Sequence, residues 1–315
     1  MNAQATNRER NATDRENAIG ALLSDLIDYA GLFPPASLSM GQSVANYDDY
    51  MQSEWNWILG RYVVPISRLD ELAASLLELP AETVAAGSSP WRLSVLAGSD
   101  ISSEVQRISE FNRAVNSKVG RKVIIESIEA KVSSAAEVER LAKEIPDQFE
   151  AYFEFPLADS ADCLAAIAAC SRRAKIRTGG ETSDKFPPAE NVIEFIRRCA
   201  ASGIPFKATA GLHHPLRSVH RFNYQPESPS GVMHGFMNLF LAAAFLQSGL
   251  SPTLATQLLL EQSVDAFTFE TDAIEWREHR LSREEIAMGR RCFAVSFGSC
   301  SFQEPIDDLR SLHWL

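Results

Sequence analysis

Ala174-Lys175-Ile176-Arg177-Thr178-Gly179-Gly180 and Pro205-Phe206-Lys207-Ala208-Thr209-Ala210-Gly211 are two short runs that each carry a lysine and end on glycine. Between them, Pro188-Ala189-Glu190 opens a helical pattern that reaches about Ala201 and stops at Gly203. Proline at the entry and glycine at the exit is the asymmetry of a helix. Strand, helix, strand at this spacing is one βα unit.

The same unit recurs upstream. Tyr62-Val63-Val64-Pro65-Ile66, Leu93-Ser94-Val95-Leu96-Ala97, Val123-Ile124-Ile125 and Tyr152-Phe153-Glu154-Phe155 are strand-like runs. From Tyr62 to Lys207 their starts lie roughly 30, 30, 30, 20 and 30 residues apart, the scale of a βα repeat. Helical stretches fill the gaps: Arg68 to Leu79, Ala135 to Ile145 and Ser160 to Ser171. Leu26 to Phe33 supplies a first strand, and Ala266-Phe267-Thr268-Phe269-Glu270 an eighth. Eight alternating units close into a parallel (β/α)8 TIM barrel. The rival is an open doubly wound sheet, but no GxGxxG follows the first strand. Two regions break the period. Residues 213 to 262 make an extended crossover between strands seven and eight, and the chain beyond Ser282 adds an extra helix and an irregular tail. Residues 17 to 315 read as one barrel domain behind a polar, disordered tail over 1 to 16.

The composition excludes several partners. The chain has 315 residues, 45% of them hydrophobic, enough for a full core, and a formal net charge of -11. That charge repels nucleic-acid phosphates and anionic membranes, which leaves a small molecule as the expected partner. No apolar run is long enough to span a bilayer, and the N-terminus lacks a signal peptide's apolar core. Five scattered cysteines without a CxxC fit reduced thiols in a cytoplasmic protein. Phe236 to Leu246 is apolar nearly all round, which suits either a buried helix or a contact in a homo-oligomer.

Barrel chemistry sits at the C-terminal ends of the strands, so charges inside late apolar strands carry the most information. Lys175 and Arg177 share a side of one strand, and Lys207 and Thr209 share a side of the next. Glu154 stands one unit earlier, and Glu126 and Glu129 close the fourth strand. A lysine among cations and apolar walls is freed as a nucleophile toward carbonyls, while carboxylates balance charge or move protons. The same residues are also compatible with a structural ion-pair network. Thr178-Gly179-Gly180 and Gly211 either let backbone N–H groups approach an anion, with charge from Arg177 and Arg217, or make ordinary tight turns.

These runs resemble the deoxyribose-phosphate aldolases, class I aldolases on a (β/α)8 barrel, in short patches that keep their order from about residue 24 to 212. Ala-Lys175-Ile-Arg-Thr-Gly179 matches the family's sixth strand, Phe-Lys207-Ala-Thr-Ala-Gly211 its seventh, Tyr152-Phe-Glu154 its fifth, and Ile27-Asp28 its opening. The resemblance implies that Lys175 forms a Schiff base, that Lys207 lowers its pKa, and that the glycine turns recognise phosphate. It implies no cofactor. Three departures stand out. Lys122 occupies the position nearest the family's strand-four aspartate, which leaves that role vacant or moves it to Glu126 or Glu129; Arg177 replaces a small residue; and the crossover after strand seven is far longer.

Two other function classes remain. His213 and His214 follow strand seven, with His220 and His234 beyond. A metal-dependent hydrolase or isomerase would draw ligands from His213, His214 and His234, although adjacent histidines on an extended segment point apart and no metal site is assigned. Alternatively, one histidine acts on a proton over the pocket or contacts substrate. A non-catalytic barrel would bind an anion through Lys175, Arg177 and the glycines. The loop with Arg217, Arg221, Tyr224 and Pro226-Glu227-Ser228-Pro229-Ser230-Gly231 reads either as a lid over the mouth or as a disordered surface loop.

Overall fold

In the computed structural model, which describes residues 16–79, 89–117 and 122–315, eight parallel strands close into a barrel. The expected tail over 1 to 16 lies outside the described residues apart from Glu16. The first seven barrel strands are β1 (Ile27–Tyr29), β2 (Leu59–Pro65), β3 (Trp91–Leu96), β4 (Val123–Lys131), β5 (Glu150–Glu154), β6 (Arg173–Arg177) and β7 (Phe206–Thr209). Helices alternate with them on the outside: Met40–Gln52, Leu69–Glu78, Ile101–Ala114, Ala135–Glu144, Ser160–Ala169 and Ala189–Ala201. Each amphipathic helix turns its apolar stripe inward; in the last, Val192, Ile193, Phe195, Ile196 and Cys199 are buried.

The eighth barrel strand differs from the sequence expectation. Phe267–Phe269 is a strand, β10, but it pairs antiparallel in a small outer sheet with β11 (Ala273–Trp276) and β12 (His279–Ser282). The strand that closes the barrel between β7 and β1 is β13 (Ala294–Ser299), within the stretch expected to be irregular. The crossover after β7 therefore runs over residues 210–293. It contains the hairpin β8 (Ser218–Arg221) and β9 (Ser230–Met233), then helices Phe236–Gln247, Pro252–Leu259 and Arg283–Cys292. Gln303–Ser311 is the extra C-terminal helix.

Phe236–Gln247 is apolar all round because its own chain surrounds it. Phe236 and Phe240 pack on Phe297 of β13, and the neighbouring helices cover the remaining sides. Its one buried polar side chain, Asn238, is fully used. The amide donates to the carbonyls of Leu258 and Glu261 at the end of the next helix, and its oxygen accepts the Arg217 N–H. Among the described residues no helix is long and apolar enough to cross a membrane.

Arg290 fastens the closing strand. Its guanidinium is buried and donates to four carbonyls, those of Leu22 at 2.7 Å, Ser24 at 3.0 Å, and Ala294 and Val295. These lie at the end of helix Ala18–Leu23, just before β1, and at the start of β13. Arg290→Leu strands those acceptors, so we expect a loss of about 3 kcal/mol in denaturant titration. A change under about 0.5 kcal/mol would show that the clamp is idle.

Candidate active site

The C-terminal mouth of the barrel opens into a cavity of about 670 Å³. Lys175 and Lys207 lie at its floor, and hydrogen bonding between β6 and β7 sets them side by side. Glu154 of β5 pairs in register with Lys175, so all three face the lumen together.

Six side chains form a chain of alternating charge across the lumen. Asp28 Oδ2 accepts from Lys207 Nζ at 2.6 Å, and Lys207 reaches Glu129 Oε1 at 2.5 Å. Glu129 Oε2 lies 2.8 Å from Lys175 Nζ, which also meets Glu154 Oε2 at 2.7 Å. Glu154 Oε1 then accepts from Arg177 Nε at 3.0 Å. Exposure rises along the chain, from 1% at Asp28 and Lys207 to 8% at Glu154, while the Arg177 side chain is 45% exposed at the rim. Hydroxyls and a backbone amide hold the inner carboxylates. Ser94 donates to Glu129 Oε1 at 2.6 Å and meets Ser127 at 2.7 Å; Ser296 and the Arg61 N–H donate to Asp28.

The mutual attraction outweighs the cost of burial. Burial alone would raise the Asp28 and Glu129 pKa values. The cations beside them, Lys207 and Arg61 for Asp28 and both lysines for Glu129, win and hold the two carboxyls below the usual range. Glu154 is likewise lowered, against burial, by Lys175 and Arg177. For Lys207, burial favours the neutral amine, but Asp28 and Glu129 reverse it and raise the pKa above 10.5. Linkage follows from these signs. The lowered carboxylates contribute stability above about pH 4.5 that is lost as pH falls through their folded values, and Lys207 contributes below 10.5 and loses it as pH rises through its raised value. The stability difference between the native chain and the double variant Asp28→Asn/Lys207→Met should therefore stay flat from about pH 5 to 9.5 and change below about pH 4. A steep slope between pH 6 and 8 in denaturant titrations would contradict this ionisation state.

Glu126, expected among the catalytic carboxylates, is not brought here. It sits at the N-terminal end of the barrel, 2.7 Å from Arg61 Nε and 2.9 Å from Arg92 Nε, in a network with Asp25, Glu150 and Arg173. Lys122 precedes β4, and the strand-four carboxylate that meets both lysines is Glu129. The pairing of β3 with β4 skips Glu126, a bulge that resets the alternation and points Ser127, Glu129 and Lys131 inward.

The glycine turns are built for close packing. A Cβ on Gly179 would lie 2.7 Å from the Gly211 Cα and 2.6 Å from the Phe186 ring, and Gly211 has φ +74. Thr178 is spent tying these loops together through the carbonyls of Thr209 and Ala210. Gly179, Gly180, Thr209 and Gly211 still line the cavity.

No family model matches this chain, and no curated protein is significantly similar to it.

The histidines separate. His213 lines the cavity with Nδ1 3.2 Å from Glu304, while His214 Nδ1 meets Asp308 at 2.5 Å and its ring stacks on His220. His234 bonds the Pro187 carbonyl instead. The expected metal set of His213, His214 and His234 thus does not converge, and among the described residues no three His, Cys, Asp or Glu side chains group as ligands. Arg217, whose backbone N–H donates to Asn238, does not line the cavity. The expected lid is the β8–β9 hairpin: Phe222 and Met233 face the cavity, and Phe222 packs on Phe186 with ring centroids 5.3 Å apart.

Proposed function

We propose that this barrel is a class I, Schiff-base lyase of the aldolase type, acting on a small carbonyl compound through Lys175. The observation that carries this reading is one amine at the floor of a deep cavity, between two carboxylates and beside a second lysine held as a cation. The patchwise resemblance to deoxyribose-phosphate aldolases supports the same roles, and Glu129 is the strand-four carboxylate in contact with both lysines.

The step balances with these groups alone. Lys175 gives a proton to Glu154 or Glu129 and its amine adds to the carbonyl carbon. The amine loses a second proton to the new oxygen, and the carbinolamine takes the first proton back on that oxygen and loses water, leaving a protonated imine. A carboxylate then removes the proton α to the iminium carbon, the resulting enamine attacks an aldehyde whose oxygen takes that proton, and water hydrolyses the iminium to free Lys175; run backwards, the same steps cleave a carbon–carbon bond. Glu129 bridges the two amines, so Lys207 stays close to Lys175 without direct contact between them.

Enamine formation exchanges the α-protons of a ketone even without an acceptor aldehyde. Small ketones incubated with the protein in D2O should show deuterium uptake by proton NMR well above the buffer rate. Absence of uptake with every ketone in the panel, using folded protein, would sink this reading.

A further inference from the structure

We infer that the carbonyl substrate is a 2-oxo acid whose carboxylate docks on Arg177, a conclusion that rests on Lys175 being the imine-forming amine. Arg177 and Lys175 stand two residues apart on β6, about 6.6 Å along a strand, with both side chains on the lumen side. Glu154 ties them together, Oε2 to Lys175 and Oε1 to Arg177 Nε. Only Nε is used in that pair. The two terminal guanidinium nitrogens take no protein acceptor among the described residues, and Arg177 lines the cavity.

A second basic group stands close by. Lys131 lies two residues beyond Glu129 on β4, as Arg177 lies two beyond Lys175, so its side chain also points to the lumen side. It lines the cavity and has no ion-pair partner among the described residues. In a chain of net charge -11, unspent cationic donors at a cavity wall mark the place for an anion.

Distance selects the kind of anion. The guanidinium shares one carboxylate with the reactive amine, so the anionic group must lie next to the carbonyl carbon. In a 2-oxo acid the carboxylate is bonded directly to that carbon. A phosphate ester interposes at least one carbon and one oxygen before phosphorus. The planar fork of arginine suits a carboxylate that remains in place while the neighbouring carbon changes from carbonyl to imine.

Pyruvate and acetone test this, since they differ only by carboxylate against methyl. Deuterium uptake is measured for each, and for dihydroxyacetone phosphate, with every rate divided by that caused by free Nα-acetyl-lysine. The expected result is a preference for pyruvate over acetone of about tenfold or more, the size of one charge-assisted hydrogen bond. Arg177→Gln should collapse that ratio toward one, and Arg177→Lys should restore part of it. Should acetone or the phosphate ester exchange as fast as pyruvate, or the preference survive Arg177→Gln, the 2-oxo acid assignment fails while the Schiff-base reading stands. Exchange with none of the three overturns both.

Discussion

Replacing Lys207 with methionine is expected to destabilise the protein by about 3–5 kcal/mol, because it leaves Asp28 and Glu129 in the lumen without their shared cation. Methionine fills a similar volume, so the loss reports charge rather than a void. The hydroxyls of Ser296 and Ser94 remain on the two carboxylates, but neither carries a compensating charge. Adding Asp28→Asn should recover a large part of the loss, since the two residues act as one unit. Denaturant midpoints of the two single variants and the double variant measure the coupling. If Lys207→Met costs under about 1 kcal/mol, the lumen does not depend on this pair in the way described.

Lys175→Ala should have the largest effect on chemistry, a fall in α-proton exchange of about 10⁴-fold or more, the scale seen when a covalent nucleophile is removed. Lys207→Met should also lower the rate, but its primary mark is on stability. The two lysines thus separate by assay even though both touch Glu129. The position on the chain explains the contrast. Lys175 lies between Glu129 and the rim-facing Glu154–Arg177 pair, whereas Lys207 lies between Glu129 and Asp28 at the fully buried end. Equal loss of exchange in both single variants, with stability unchanged, would assign the nucleophile wrongly.

The barrel was legible because seven of its strands fall in short runs spaced about one βα unit apart, with helical stretches between them. The eighth was not, for a physical reason. Phe267-Thr268-Phe269 has the alternation of a half-buried strand and forms one, but in an outer antiparallel sheet. The strand that closes the barrel, Ala294-Val295-Ser296-Phe297-Gly298-Ser299, carries polar and small residues where the lumen needs them: Ser296 donates to Asp28, and Gly298 lines the cavity. Its apolar residues are interrupted at Ser296, and the crossover over 210–293 sets it outside the regular spacing that marked the others.

The candidate site was legible in its lysines and less so in their partners. Lys175, Arg177, Lys207 and Glu154 are charges inside short late strands, and the structure brings all four together. Asp28 stands in a three-residue strand whose register with Lys207 depends on β13, the strand outside the regular repeat. Glu126 and Glu129 could not be told apart by counting along β4, because the bulge at Glu126 breaks the count. The loop glycines looked like an anion cradle. Their spacing is equally demanded by the contact of Gly179 with Gly211 beneath Phe186, a requirement invisible in one chain segment taken alone.

The most direct test of the central claim is chemical trapping. The protein is incubated with pyruvate, reduced with borohydride, digested and mapped by mass spectrometry, with acetone run alongside. Reduction of an imine leaves a stable secondary amine on the residue that formed it. The account predicts a single adduct, on the peptide that contains Lys175, and none in Lys175→Ala. An adduct on Lys207 or on surface lysines alone, or no adduct with either ketone in folded protein, would contradict it.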